Sequence, residues 1–245
     1  MYWREASWRP TKWRRYSARP MRCSSGQTWP GAKWNQPGAD SGARPPALVA
    51  RRRLLPRPEW TASTTLQNHS AAFTRLLVDP RLVERAAELI GPNVQLHHTK
   101  LHNKPPAVGS PFPMHQDYPY FPHEGDSMIA AVLHLDDASV ENGCLCVVPR
   151  SHKLGPIEHC HDGSFYLPLE DWPLERAVPV EASAGDVLFF GYCMVHGSYV
   201  NRSARSRRIL LIQMRSPTDR PLNDAHRSPG QGTMLLGTNP DASQL

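Results

Sequence analysis

The sequence of 245 residues lacks the features of several common protein classes. No uninterrupted apolar run approaches the length of a membrane-spanning helix, about 18 residues or more, which predicts a soluble protein without membrane contact. The five cysteines are odd in number and too sparse for a disulfide framework. No secretory signal is visible, so a reducing cytoplasm is the expected location. The sequence also contains no internal repeat.

Positive charge is concentrated at the start of the chain. The net charge is +6, which taken alone would indicate a nucleic-acid-binding protein. Residues 1–60 contain 13 Lys or Arg and three acidic residues, a balance of +10. The remaining 15 basic and 19 acidic residues give −4. The body of the protein is therefore mildly acidic, which disfavours nucleic acid as its partner.

Residues 1–60 show no helical or strand period, although six of the seven tryptophans lie there among Arg, Pro, Gly and Ser. Three interpretations are open. The segment is a basic aromatic arm that binds nucleic acid, an Arg-rich organelle transit peptide, or disordered sequence. We favour a disordered basic tail, because disorder requires only high charge and little apolar periodicity. The folded domain is predicted over residues 64–240.

The pattern becomes regular after this segment. Asp79-Pro80 predicts the start of a helix, and Gly91-Pro92 predicts its end. Short segments rich in β-branched or aromatic residues follow, separated by turn signals. The predicted strands are 94–103, 127–135, 143–149, 177–180, 186–190 and 208–215. One helix followed by many short strands predicts a mainly β fold, either a barrel or a double-sheet jelly roll, with helical support on one side.

Two His-x-Asp pairs are candidates for a metal site. In an extended segment, positions i and i+2 project to the same face, so His115 and Asp117 can reach one metal ion. The pattern alone is weak evidence. His134 and Asp136 have the same spacing, but they lie in an alternating strand that runs into a turn. We therefore assign the second pair to the structure of the sheet.

A third candidate ligand is His196, which follows an apolar strand and precedes Arg207 by eleven residues. Because the intervening segment is polar and turn-like, we predict that His196 and Arg207 lie on neighbouring strands of one sheet. Two imidazoles and a carboxylate on one face of Fe(II) leave three positions for a chelating 2-oxo acid and O2. A guanidinium can then bind the far carboxylate of 2-oxoglutarate. Arg208 is the alternative for this role, since neighbouring strand residues face opposite ways.

Several motifs together resemble the phytanoyl-CoA dioxygenase family, over about residues 64–240. They are Leu-His-Asn-Lys-Pro-Pro (101–106), His-Gln-Asp (115–117), Asn-Gly-Cys-Leu (142–145), Pro-Arg-Ser-His-Lys (149–153), Gly-Asp (185–186) before Phe-Phe (189–190), and His-Gly-Ser (196–198) with Arg207. The resemblance implies a double-stranded β-helix, a cupin-like jelly roll. It also implies roles for seven residues. The iron ligands are His115, Asp117 and His196; 2-oxoglutarate pairs with Arg207; and the cosubstrate pocket is lined by Ser198 and Gln116 and faced by Lys100.

The resemblance implies hydroxylation of a small-molecule substrate with O2 and 2-oxoglutarate, which yields succinate and CO2. Acyl-CoA 2-hydroxylation is one option, and amino-acid derivatives and secondary metabolites are others. Two alternatives come from other classes: a non-catalytic metal- or ligand-binding β-helix protein, and a nucleic-acid-binding arm on an inert domain. A further group of histidines is assigned to solvated or hydrogen-bonded positions rather than to a second metal site. Its members are His97, His98, His102, His159 and His161.

Overall fold

A computed structural model describes residues 61–106, 111–224 and 226–241. The predicted tail, residues 1–60, lies outside this range. The α-helices are α1 (Ala71–Leu77) and α2 (Pro80–Ile90). The strands are β1 (Thr61–Thr64), β2 (Val94–Lys104), β3 (Phe112–His115), β4 (Ile129–His134), β5 (Leu145–Val147), β6 (Cys160–His161), β7 (Phe165–Tyr166), β8 (Val178–Val180), β9 (Val187–Gly191), β10 (His196–Ser198), β11 (Arg207–Arg215) and β12 (Met234–Leu236).

The strands form two main antiparallel sheets. The larger sheet has the order β1-β2-β11-β4-β9, and β12 pairs with the first two residues of β2, Val94 and Gln95. The smaller sheet has the order β3-β10-β5-β8, and β6 and β7 form a separate ribbon. Strands that are distant in sequence are therefore neighbours in both sheets. This double-sheet arrangement confirms the predicted mainly β jelly roll.

The helices cover one face of the larger sheet. Helix α2 begins where predicted, because the Asp79 side chain accepts a hydrogen bond from the Arg81 amide (3.0 Å). It buries an apolar stripe that includes Leu82 and Val83. Helix α1 was not predicted; at seven residues it is too short for a clear period, and Ser70 caps it. None of the helices in the described ranges is long and apolar enough to cross a bilayer.

Alternation along the long strands separates the helical face from the interior of the jelly roll. On β11, Leu210, Ile212 and Met214 belong to the core beneath the helices. Arg207 and Gln213, at alternate positions of the same strand, are buried on the opposite face, towards the smaller sheet. The candidate site residues collect in this space between the sheets.

One prediction about connectivity is wrong. His196 and Arg207 do not lie on neighbouring strands of one sheet, because β10 belongs to the smaller sheet and β11 to the larger. The polar segment between them crosses from one sheet to the other instead of forming a hairpin. The two side chains therefore approach the interior from opposite walls.

Gly143, in the turn before β5, has a left-handed backbone (φ +74°). A Cβ at this position would lie 2.5 Å from the Tyr199 carbonyl oxygen and 3.1 Å from Lys104 Nζ. We expect Gly143→Ala to lower the free energy of unfolding by about 2–4 kcal/mol, through left-handed strain and the backbone clash together. Chemical denaturation followed by circular dichroism measures this loss.

Gly163→Ala is the matched control. Gly163 has a similar φ (+71°), but a Cβ there would have no neighbour within 4 Å. The control should lose only the strain, about 1–2 kcal/mol. Equal losses in the two variants would contradict the steric explanation for Gly143.

Candidate metal centre

Three candidate ligands from separate parts of the chain meet between the sheets. His115 ends β3, Asp117 follows it, and His196 begins β10, where it pairs with His115 across the ladder. The Nε2 atoms of His115 and His196 each lie 3.8 Å from Oδ1 of Asp117. All three side chains are buried, and their ligand atoms lie within 4.8 Å of one another. The predicted triad therefore converges on one point.

Asp117 does not reach this point by strand alternation alone. Its backbone has left the extended region (φ −74°, ψ −23°), and it precedes a short 3-10 helix at Tyr118–Tyr120. The Asp117 amide donates to the Tyr192 carbonyl (2.9 Å), which fixes the turn. The i, i+2 argument thus predicted that these two side chains meet, although only His115 belongs to the strand.

Backbone carbonyls orient both imidazole rings. Nδ1 of His115 lies 2.9 Å from the Pro113 carbonyl oxygen, and Nδ1 of His196 lies 2.9 Å from that of Met194. Since a carbonyl can only accept, each Nδ1 carries the proton and each Nε2 presents its lone pair to the centre. Burial, followed by the neighbouring His196, holds the pKa of His115 well below its ordinary value. His115 is therefore neutral, as metal coordination requires.

Gln213, on β11, holds the carboxylate in place. Its Nε2 donates to Oδ2 of Asp117 at 2.8 Å, so Oδ1 remains directed at the two imidazoles. Gln213→Leu is expected to lower the Fe(II) affinity about 10- to 100-fold, as removal of a partner of a metal ligand typically does. Anaerobic Fe(II) titration in competition with a chromogenic chelator measures the change.

Gln95→Leu provides a control for the loss of a buried amide. Gln95 lies on β2, where its Nε2 donates to the Gly232 carbonyl (2.9 Å). The control should alter stability without changing the Fe(II) affinity by more than about twofold. An equal loss of affinity in both variants would remove the case for Gln213 as a support of Asp117.

The candidate cosubstrate arginine is buried in the same space. Arg207 is 1% exposed, and one of its terminal nitrogens donates to the Gly143 carbonyl (2.9 Å). Its Nε is buried and has no hydrogen-bond partner within the part of the chain that the structure describes. Burial lowers its pKa to about 10, so it remains charged at neutral pH. A buried guanidinium with an unpaired N–H is suited to an anion such as a carboxylate.

Arg208, the alternative for this role, faces the other way. Its guanidinium and amide bind the carboxylate of Asp136, with Nη2 to Oδ1 at 2.7 Å, at the protein surface. Asp136 is thereby used in a structural pair. His134 is buried, and its Nδ1 approaches the Asp186 carbonyl. The second His-x-Asp motif is therefore part of the sheet, and its two side chains do not join the metal triad.

Lys104 is a buried basic residue to which the sequence pattern assigned no role. It ends β2 opposite Arg207, and its Nζ donates to Ser198 Oγ (2.7 Å) and to the Tyr199 carbonyl. Burial, followed by the charge of Arg207, lowers its pKa to about 6. The spacing from Lys100 could have identified it, since positions i and i+4 share one face of a strand. The hydroxyl of Ser198, which was predicted to line the cosubstrate pocket, therefore accepts a hydrogen bond from Lys104.

Gln116 and Lys100 have different positions around the site. The Gln116 side chain points away from the triad and bonds the carbonyls of Gly155 and Cys193 and the Ile157 amide. In this structure it ties three loops together, and its contact with a cosubstrate stays a prediction. Lys100 lies on the interior face of β2, close enough to Asp117 for the carboxylate to oppose the lowering of its pKa by burial.

Comparison with known proteins agrees with the site. The sequence model of the phytanoyl-CoA dioxygenase family matches residues 50–209. The chain belongs to the phytanoyl-CoA dioxygenase family. A probable alpha-ketoglutarate-dependent hypophosphite dioxygenase of Stutzerimonas stutzeri is 31% identical over 150 residues, which cover 58% of this chain and 52% of that protein. The L-proline trans-4-hydroxylase of Streptomyces griseoviridis is 30% identical over 175 residues, which cover 60% of this chain and 64% of that protein.

One of the similar solved structures contains iron and 2-oxoglutarate. The epimerase SnoN, in complex with Fe3+, alpha ketoglutarate and nogalamycin RO, is 25% identical, with a TM-score of 0.56, and the match covers 73% of this chain and 76% of SnoN. Iron and 2-oxoglutarate are thus confirmed as the cofactors of proteins that this member of the family resembles. The chain spans about half the length of the hypophosphite dioxygenase that it matches.

Proposed function

We propose that this protein is an Fe(II)- and 2-oxoglutarate-dependent hydroxylase of a small-molecule substrate. The observation that carries the proposal is the convergence of His115, Asp117 and His196 in a space that also contains the buried Arg207. The donor set of two imidazoles and one carboxylate fits Fe(II) with open positions. The unpaired Nε of Arg207 fits the far carboxylate of a keto-diacid.

Each residue has a definite task in this proposal. Nε2 of His115, Nε2 of His196 and Oδ1 of Asp117 hold the metal on one side. Arg207 binds the far carboxylate of 2-oxoglutarate, and Lys104, which pairs with Arg207, donates a hydrogen bond to the Ser198 hydroxyl on the opposite wall. When bound, Fe(II) supplies O2 activation for oxidation of an unactivated bond, while 2-oxoglutarate is converted to succinate and CO2. Burial of all these groups excludes bulk water from the cosubstrate.

The proposal specifies the substrate less closely than the reaction. Acyl-CoA 2-hydroxylation remains one candidate activity, because the family takes its name from a CoA ester. The relatives differ in the substrates that their names state, hypophosphite in one case and L-proline in another. A small molecule is the class that these have in common. The cytoplasmic location stays a prediction from the sequence.

Anaerobic titration of the full chain tests the proposal. Fe(II) followed by 2-oxoglutarate should produce a weak visible charge-transfer band, and succinate should produce none. Admission of O2 should then release succinate in an amount that depends on Fe(II). Folded protein without a band would overturn the proposal. A band without any succinate would favour the non-catalytic metal- and ligand-binding protein.

A further inference from the structure

A second group of histidines lies on the interior face of β2. A bulge between β2 and β11, where Leu96 faces Met214 and His98 faces Gln213, leaves His97 as an extra residue. Such a bulge breaks the alternation, so His97 and His98 both turn inward instead of to opposite faces. Both are buried. The sequence pattern could not reveal this, because adjacent strand residues are expected to point apart.

His226 completes a cluster around Phe121. Its ring centroid lies 4.3 Å from that of His98 and 5.8 Å from that of His97. The ring of Phe121 lies between 4.9 and 5.4 Å from all three. His226 is exposed and the other two are buried, so the cluster reaches from solvent into the interior. We refer to His97, His98 and His226 as the imidazole wall.

Three buried nitrogens at this wall have no hydrogen-bond partner among the described residues. They are Nε2 of His97, Nε2 of His123 and Nε of Arg215. The rings of His97 and His123 lie 5.5 Å apart. Burial, followed by His226, His123 and Arg215, lowers the pKa of His97 to about 3, which places these groups in one neighbourhood. Nε of Arg215 is an N–H group, and Nε2 of His97 is one when Nδ1 of His98 donates to Nδ1 of His97. Nδ1 of His123 donates to the Phe121 carbonyl, so its Nε2 is an acceptor. Unpaired buried N–H groups are costly, and a ligand that accepts hydrogen bonds would satisfy those of Arg215 and His97.

The charge of the surroundings favours an anion over a metal ion. Lys100 follows His98 by two residues on β2, and Arg215 pairs with Gln95, two residues before His97, so these two basic residues flank the wall along the strand. Burial, followed by His226, His97 and Lys100, holds the pKa of His98 well below its ordinary value. In the described ranges, the carboxylates whose charges reach these groups are Asp117 and Asp219. Asp117 belongs to the metal triad.

Asp219 is also committed to other partners, since its oxygens accept from the amides of Gly125 and Ser127. The ligand atoms of the three wall histidines lie within 4.8 Å of one another, as a metal would require. However, Nδ1 of His97 and Nδ1 of His98 lie 2.7 Å apart and share a proton, so these two atoms bond each other. Two adjacent cations would also repel a dication.

We infer that the imidazole wall, with Lys100 and Arg215, binds the anionic group of the substrate. The substrate is then a small acid whose oxyanion lies on the wall while its reacting bond faces the metal centre. Lys100 connects the two regions, since it lies two residues from His98 and within the influence of Asp117. Phe121 provides an apolar surface for the carbon skeleton. The inference rests on the proposed function and narrows its substrate class.

Matched acids and amides test the inference on the anaerobic Fe(II)–2-oxoglutarate complex of the full chain. The probes are octanoate with octanamide, and N-acetyl-L-proline with N-acetyl-L-prolinamide. We expect the acid of at least one pair to shift the visible band with an affinity about 10-fold or more above that of its amide, since charged hydrogen bonds are the stronger ones. The same acid should stimulate succinate formation once O2 is admitted.

Variants assign the preference to the wall. His226→Gln and His98→Gln should each reduce the acid-to-amide ratio to about threefold or less, and should leave the 2-oxoglutarate affinity within about twofold. His161→Gln, at an exposed histidine outside the wall, should keep the full ratio. His226 is exposed, so its variant remains informative where His98→Gln fails to fold.

Several results would overturn the inference. They are equal binding of acids and amides, a band that responds to none of the four probes, an unchanged ratio in both wall variants, and a second equivalent of bound Zn(II) that His98→Gln removes. Failure of the proposed function is distinguishable, because no band would then form with 2-oxoglutarate. The wall would in that case be tested by thermal unfolding, where octanoate should raise Tm more than octanamide does, and His226→Gln should abolish the difference.

Discussion

Asp117→Ala is expected to lower the Fe(II) affinity by more than about 100-fold and to abolish the 2-oxoglutarate band. Loss of a group that only supports a ligand costs about 10- to 100-fold, and Asp117 supplies the ligand atom itself. Oδ1 of Asp117 lies 3.8 Å from both imidazole Nε2 atoms, so it is the common point of the triad. Anaerobic Fe(II) titration against a chromogenic chelator gives the affinity.

Asp136→Ala is the matched control, because it removes the same carboxylate from the other His-x-Asp motif. Asp136 pairs with Arg208 at the surface, and such exposed ion pairs contribute about 0–1 kcal/mol to stability. This variant should bind Fe(II) as the unaltered protein does. If both substitutions reduced the affinity equally, the metal would not be held by the first motif.

Arg207→Met should weaken 2-oxoglutarate binding about 100-fold or more and leave Fe(II) binding nearly unchanged. Removal of one partner from a buried charge pair costs about 2–5 kcal/mol, and each 1.4 kcal/mol corresponds to about a factor of ten. Methionine fills a similar volume, so the variant should fold. The concentration of 2-oxoglutarate at half-maximal band intensity measures the loss.

Arg208→Met distinguishes the two neighbouring arginines. Arg208 lies on the outer face of β11, where it pairs with Asp136, and its replacement should change the 2-oxoglutarate affinity by less than about twofold. Arg207→Lys should recover only part of the affinity, since an ammonium cannot bind a carboxylate through two parallel hydrogen bonds. Strong weakening by Arg208→Met, with none by Arg207→Met, would reverse the assignment.

Local patterns in the sequence predicted much of the fold. The Asp79-Pro80 start and the Gly91 end of α2 depend on capping within one turn, so they are visible in consecutive residues. The six predicted strands agree with the observed bounds to within about two residues at each end. Helix α1 and the short strands β1, β3, β6, β7, β10 and β12 were missed as elements. Segments of two to seven residues carry too little period, and contacts with other elements stabilise them.

The candidate site, like the fold, was predicted only in part. The likeness of motifs identified His115, Asp117, His196 and Arg207 as a set, and the structure brings them into one buried space. The connection between His196 and Arg207 was mispredicted, since a polar segment can form a hairpin within one sheet or cross to the other sheet. Gln213 was not predicted, because an uncharged residue in an apolar strand carries no chemical signal of its own.

The sequence by itself determined the mainly β class, helix α2, the family and the residue types that could hold iron and a keto-diacid. The tertiary structure decided that Arg207 and not Arg208 faces the interior, that β10 and β11 lie in opposite sheets, and that a bulge turns His97 and His98 inward together. Capping and periodicity act between residues a few positions apart, so the sequence displays them directly. Strand pairing and register join residues up to about 140 positions apart, as Leu236 and Val94 show, and only the packed sheets specify which side chains meet.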